Sequence, residues 1–186
     1  MHKKVIAHLA VLAVAGVFTQ GAFAADGTIN FTGDIVDAPC AISPNSQNLS
    51  VPLGKVSRTA FDGATAGTAA VGKKAPTPAK FSIDLLGCGA TAKGATVTFS
   101  GTADADDATN LRIANAGQVG AGAASGVAIE LGDSAGTKIP LGSASGQYTL
   151  GQGDNSLKFQ AVYVATKTAV TTGPANATAQ FTVAYK

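Results

Sequence analysis

The stretch Asp26-Gly27-Thr28-Ile29-Asn30-Phe31-Thr32-Gly33-Asp34-Ile35-Val36-Asp37-Ala38-Pro39-Cys40 decides how the rest of the chain is read. A period of two sets Ile29, Phe31, Gly33 and Ile35 on one face, and Thr28, Asn30, Thr32 and Asp34 on the other. That is the pattern of a strand with a single face to bury. Gly33 interrupts the apolar row, and glycine inside a strand is tolerated best where a groove floor or a second backbone comes close.

Upstream of this stretch the sequence reads as an address. His2, Lys3 and Lys4 give a positive start, residues 5–17 form a short apolar run, and Ala22-Phe23-Ala24 has the small-x-small pattern of a signal-peptidase site. Residues 1–24 are therefore expected to be a signal peptide, with Ala25 as the mature N-terminus. The apolar run is too short for a permanent span, and nothing later approaches the roughly 20 apolar residues required. An exported chain without stable membrane insertion is expected.

Loss of the leader removes Lys3 and Lys4, leaving eleven Lys and Arg against eleven Asp and Glu, all scattered. A chain that neutralises phosphates needs clustered positive charge, so nucleic acid and anionic membranes are not expected partners. Both histidines, His2 and His8, leave with the leader as well, and residues 25–186 then hold no His, Met or Trp. That excludes a His-based triad or an imidazole metal site, and no metal or cofactor is expected. Cys40 and Cys88 are two thiols in an exported chain, where oxidising conditions favour pairing, and they are read as one disulfide.

Downstream, apolar and polar residues alternate. Phe81, Ile83 and Leu85 alternate with Lys80, Ser82 and Asp84, and Val97 and Phe99 with Thr96, Thr98 and Ser100. Val127, Ile129 and Leu131, then Leu157, Phe159, Ala161 and Tyr163, then Phe181, Val183 and Tyr185 repeat the pattern. Each run should bury one face. Turn signals separate them at Gly132-Asp133 with Gly136, residues 142–146, Gly151-Gln152-Gly153-Asp154 and Gly173-Pro174. The expectation is an all-β chain, an antiparallel sandwich of immunoglobulin-like type in one domain over residues 38–186. Residues 62–80, with Pro76, Pro78, Lys73, Lys74 and Lys80, read as an exposed flexible loop, and residues 103–115 leave room for a helical turn or two. The last apolar run ends at Lys186, so its outer edge is expected to need a partner, and the Ile29, Phe31 and Ile35 face is a suitable cover.

Four features in order make the chain resemble the major pilins of the chaperone-usher pathway, of type 1 fimbrial kind. They are Gly27-Thr28-x-x-Phe31-x-Gly33-x-Ile35-Val36-Asp37-Ala38-Pro39-Cys40, Phe81-x-Ile83-x-Leu85-x-x-Cys88, Phe159-Gln160-Ala161-x-Tyr163, and Phe181-x-Val183-x-Tyr185-Lys186. The resemblance implies a six-stranded, incomplete immunoglobulin-like sandwich, with a hydrophobic groove where the last strand is missing. It implies that residues 25–37 are an N-terminal donor-strand extension. A periplasmic chaperone would fill the groove first, and at an outer-membrane usher the extension of a neighbouring identical subunit would replace it. Carried over by position, Ile29, Phe31 and Ile35 are the donor's apolar side chains and Gly33 its obligatory small site. Phe181 and Val183 should line the groove, and Tyr185 and Lys186 form the chaperone-docking end. The implied destination is a fimbrium on the bacterial cell surface, reached through the periplasm. The tail before Gly27-Thr28 is shorter than in many relatives, and residues 72–79 look like an insertion.

A secreted carbohydrate-binding β-sandwich is the alternative, but it lacks Trp, and Tyr163 and Tyr185 lie in strand patterns. For a hydrolase the clustered carboxylates are Asp104, Asp106 and Asp107, in a Gly/Ala/Thr-rich segment that reads as a solvated loop. No enzyme is expected.

Overall fold

A computed structural model describes residues 28–33, 39–118, 120 and 122–186, so the expected leader and Ile35 lie outside the described residues. The chain divides into two units, Met1–Val36 and Asp37–Lys186. Of the first unit, residues 28–33 have no ladder hydrogen bonds and are exposed throughout.

In the second unit the alternating runs become strands whose inward faces meet. The five long ones are β2 (Ala79–Cys88), β3 (Gly94–Gly101), β5 (Val127–Asp133), β7 (Gly153–Ala165) and β8 (Ala179–Tyr185), and two-residue strands β1 (Ala41–Ile42), β4 (Leu111–Arg112) and β6 (Tyr148–Thr149) extend them. One sheet has the order β1-β2-β7-β5-β4 and the other β6-β3-β8, with every pairing antiparallel. Among the described residues helix is confined to one short turn, α1 (Pro44–Gln47), and a 3₁₀ turn at Arg58–Phe61.

Register explains which residues face inward. Phe81 stands opposite Phe159 on the β2–β7 ladder, and Phe99 opposite Phe181 on the β3–β8 ladder. Across the sheets the ring of Phe99 meets Phe159 edge-on at 5.1 Å and Phe81 at 6.1 Å. Around this aromatic centre Ile83, Leu85, Val97, Ile113 and Leu157 are fully buried. The disulfide between Cys40 and Cys88 ties the start of the unit to the end of β2.

Three sequence expectations need correction. Residues 62–80 are not a free loop: the amides of Ala69, Gly72 and Ala75 donate to the carbonyls of Thr168, Ala165 and Tyr163, and the Ala165 amide returns a bond to Lys73. Ala69 and Ala75 are buried as a result. The segment runs beside the edge of β7 beyond β2, with Lys74 bridging Val164 in antiparallel register. The outer face of the β5–β7 ladder is the second correction, since Ala128, Val162 and Val164 are buried on a face expected to be solvated. Glu130 is buried on that face too, with its carboxylate between the ammonium groups of Lys74 and Lys138. Small side chains concealed this, because Ala and Gly carry little hydrophobic signal.

The third concerns residues 103–115, which form turns and β4 and no α-helix. Asp104 is buried and caps the turn by accepting from the amides of Asp106 and Asp107, while Asp107 holds Thr109, Asn110 and Lys138. These carboxylates are committed to a turn, as short acidic side chains favour.

Candidate strand-acceptor groove

Complete immunoglobulin-type sandwiches pair one four-stranded sheet, A-B-E-D, with a second in which C, F and G are consecutive neighbours. Here β1-β2-β7-β5 follows the first order, and β3-β8 supplies C and F. No strand among the described residues pairs with the other edge of β8, the place of G.

A cleft of about 800 Å³ lies along that open edge. Its floor is core: Phe99, Leu111, Ile129 and Leu131, all buried. One rim is β8 and the residues before it, with Phe181 and Ala177, and the other is residues 42–53, with Ile42, Leu49, Val51 and Leu53. Among the described residues, no backbone group of residues 48–56 has a backbone partner. Both rims therefore present unsatisfied amides and carbonyls beside an apolar floor, a combination that invites an additional strand. A second cleft of about 340 Å³ continues along the same rims past Gly54, Val56, Ala175 and Asn176.

The opposite end of the groove is closed by the chain's own bonds. The Tyr185 hydroxyl donates to the Cys40 carbonyl at 3.3 Å, and the Gly89 amide to the Pro39 carbonyl at 2.9 Å. Lys186 exchanges backbone bonds with Gly94, and its carbonyl also accepts from Lys93. Burial pushes the Tyr185 phenol above its ordinary pKa. Val183 and Tyr185 lie half-buried against the core, while Lys186 is exposed.

Of the expected donor residues, Ile29 is 78% and Phe31 90% exposed, and Gly33 has open space where a Cβ would stand. Two large apolar side chains in water have a free energy of burial still to gain. The rim at residues 48–56 escaped the sequence reading, although Leu49, Val51 and Leu53 alternate with Asn48, Ser50 and Pro52 in period two. Pro52 hid it, because proline argues against a central strand; on an edge it is admissible. The floor residues Leu111, Ile129 and Leu131 carry no signal separating floor from ordinary core.

The three tyrosine rings make a poor sugar platform. Their hydroxyls are engaged with the carbonyls of Lys158, Ala175 and Cys40, and their rings pack against the core. Among the described residues no group of three or more His, Cys, Asp or Glu could hold a metal, and no helix is long and apolar enough to cross a membrane.

Comparison with known proteins decides what carries such a groove. The profile of the family described as Fimbrial protein matches residues 29–186. The chain belongs to the fimbrial protein family. It is 40% identical over 185 residues to Long polar fimbria protein A of Salmonella typhimurium, covering 99% of this chain and 97% of that one. It resembles the crystal structure of a Burkholderia pseudomallei antigen and type I fimbria protein at 42% identity and a TM-score of 0.58, over 86% of this chain and 97% of the other. A subunit of a chaperone-usher pilus rod matches at 27% identity and a TM-score of 0.68, over 87% and 96% of the two chains. This fimbrial protein is a structural subunit of a surface pilus, in a family that is not enzymatic, and its sandwich is the incomplete immunoglobulin-like fold of those subunits.

Proposed function

We propose that this fimbrial subunit polymerises by donor-strand exchange, residues 25–37 of one copy completing the groove of the next. The supporting observation is the unpaired outer edge of β8 beside a buried apolar floor. Residues 1–24 direct export and are removed. In the periplasm a chaperone strand covers the groove, meeting Phe181 and Val183 and docking at Tyr185 and Lys186. At the outer-membrane usher the extension of the neighbour displaces it. Ile29, Phe31 and Ile35 then enter the groove, and Gly33 lets the backbone pass where a side chain would collide. Burying three such side chains contributes about 5 to 9 kcal/mol, at about 1.5 to 3 kcal/mol each, with ladder hydrogen bonds in addition. The joint is accordingly persistent, and the subunit serves as the repeating unit of the shaft.

Two engineered chains test this. Residues 38–186 alone should melt low or aggregate, whereas the same residues with a copy of residues 27–37 appended after Lys186 should be a stable monomer. Equal melting of the two would sink the reading. In cells, Phe31→Asp should remove fibres while leaving a subunit that a chaperone can hold, and abundant fibres from this variant would contradict it.

A further inference from the structure

The outer face of the β2–β7 ladder carries a charge pattern that neither the core nor the groove requires. Rungs of this ladder pair Lys80 with Gln160, Ser82 with Lys158, and Asp84 with Ser156, all pointing away from the inward-facing Phe81, Ile83, Leu157 and Phe159 row. Asp154 follows two residues before Ser156 on the same face and accepts from the Gly87 amide at 3.0 Å. Along the ladder the order is therefore Lys80, Lys158, Asp84, Asp154: cations at one end, anions at the other. None of the four joins the ion pairs formed among the described residues. Asp84 accepts from Ser156 through Oδ1 and Asp154 from Gly87 through Oδ1, leaving Oδ2 of each without a partner among those residues.

We propose that this face is a self-complementary docking surface for the same face of a second copy, joining two fimbriae side by side. Successive rungs on one face are about 6.6 Å apart. A two-fold axis in the contact plane, lying across the strands midway between the Ser82 and Asp84 rungs, sets Lys158 over the Ser156 of the second copy, with that copy's Asp84 on the next strand about 4.8 Å away. The same operation sets Lys80 one strand from that copy's Asp154, so the cationic end of each face lies over the anionic end of the other and the long lysine side chains reach across one strand spacing to form four ion pairs per contact. Ser82 and Ser156 at the centre are small enough for the two faces to approach. A contact of this kind is isologous, whereas subunits linked head to tail are related heterologously. The surface therefore joins separate fibres, which is where the inference rests on the fimbrial reading. Exposed ion pairs are individually weak and screened by salt, but a fibre repeats the face many times, and many weak contacts act together.

The test uses purified intact fimbriae, followed by light scattering and electron microscopy. Wild-type fimbriae should bundle at about 0.05 M salt and separate at about 0.5 M, where the screening length falls well below the spacing of the charges. Fimbriae carrying Lys80→Glu with Lys158→Glu, and others carrying Asp84→Lys with Asp154→Lys, should each remain single, and mixing the two should restore bundles. A neutral pair, Lys80→Gln with Lys158→Gln, should lose the low-salt scattering without the burden of four like charges. Single wild-type fibres at low salt, or charge-reversed fibres that bundle unchanged or stay dispersed when mixed, would overturn the proposal. Loss of fibres in the neutral variant would place these lysines in assembly of the shaft instead and equally overturn it. Absence of fibres from the wild-type gene would strike the fimbrial reading itself.

Discussion

Replacing both cysteines with alanine tests how the groove is held open. The disulfide joins residues 48 positions apart, and the loop it closes contains β1, α1, the rim at residues 48–56 and most of β2. In the chain-entropy description a closed loop of about 49 residues is worth about 4 kcal/mol through the unfolded state. Domains of this size are stable by only about 5 to 15 kcal/mol, so the loss is a large share. The native state suffers as well, because β1 is just two residues long and the rim beyond it has no backbone partner among the described residues. Beyond β1 the segment is tied to β2 by the Ser43 amide, which donates to the Asp84 carbonyl, and by the Ser46 hydroxyl, which accepts from the Asp84 amide. Guanidinium unfolding of the strand-appended chain, with and without Cys40→Ala and Cys88→Ala, measures the difference. The expected result is a fall of about 4 kcal/mol, accompanied by faster amide exchange in β1 and α1. A fall below about 1 kcal/mol at unchanged denaturant slope would refute the reasoning, since it would mean other contacts already close the loop.

Three other outcomes are expected. Lys74→Met removes a partner of buried Glu130 and should cost about 1 to 3 kcal/mol, with faster exchange at the Gly72 and Ala75 amides that tie the segment to β7. Unchanged exchange there would show that the segment is held without the ion pair. Asp107 lies below its ordinary pKa, chiefly through its hydrogen bond with Thr109 and with help from Lys138. A depressed carboxylate stabilises the fold above its unfolded value near 3.8 and loses that contribution as pH falls through the folded value, so Asp107→Asn should flatten the stability curve below about pH 4. Leu131→Ala, in the groove floor, should cost about 2 to 5 kcal/mol in the strand-appended chain and distinctly less without the added strand, by denaturant titration of both.

Much of the sandwich was legible because its inner faces are built from large residues in period two. Phe81, Ile83 and Leu85 or Phe181, Val183 and Tyr185 announce both the strand and its buried side. The added edge beside β7 was not legible, because it depends on backbone hydrogen bonds from Ala69, Gly72 and Ala75 to Thr168, Ala165 and Tyr163, far away in sequence. No local pattern encodes which loop pairs with which strand edge. Glu130 shows the same limit: a charge between Ile129 and Leu131 reads as the solvent side, and only the arrival of Lys74 and Lys138 makes its burial tolerable. In the groove, β8 was readable from its apolar alternation, whereas the opposite rim was masked by Pro52 and the floor looked like any core.

That the deficit falls at an edge and not in the centre has a physical reason. A missing central strand would leave Phe99, Phe159 and their neighbours without one side of the core, and no domain would fold to present a binding site. With the open place beyond β8, the aromatic centre is already closed by β2, β3 and β7, and only the outer apolar layer and one row of backbone groups wait for a partner. The unit can thus hold its shape while remaining unsatisfied, which is what a polymerising subunit requires. Its full stability belongs to the joint, because anything that binds the folded form alone adds its binding free energy to folding. In the proposed exchange, the edge that would otherwise recruit any passing strand would become selective through the sizes of its pockets and the glycine set among them.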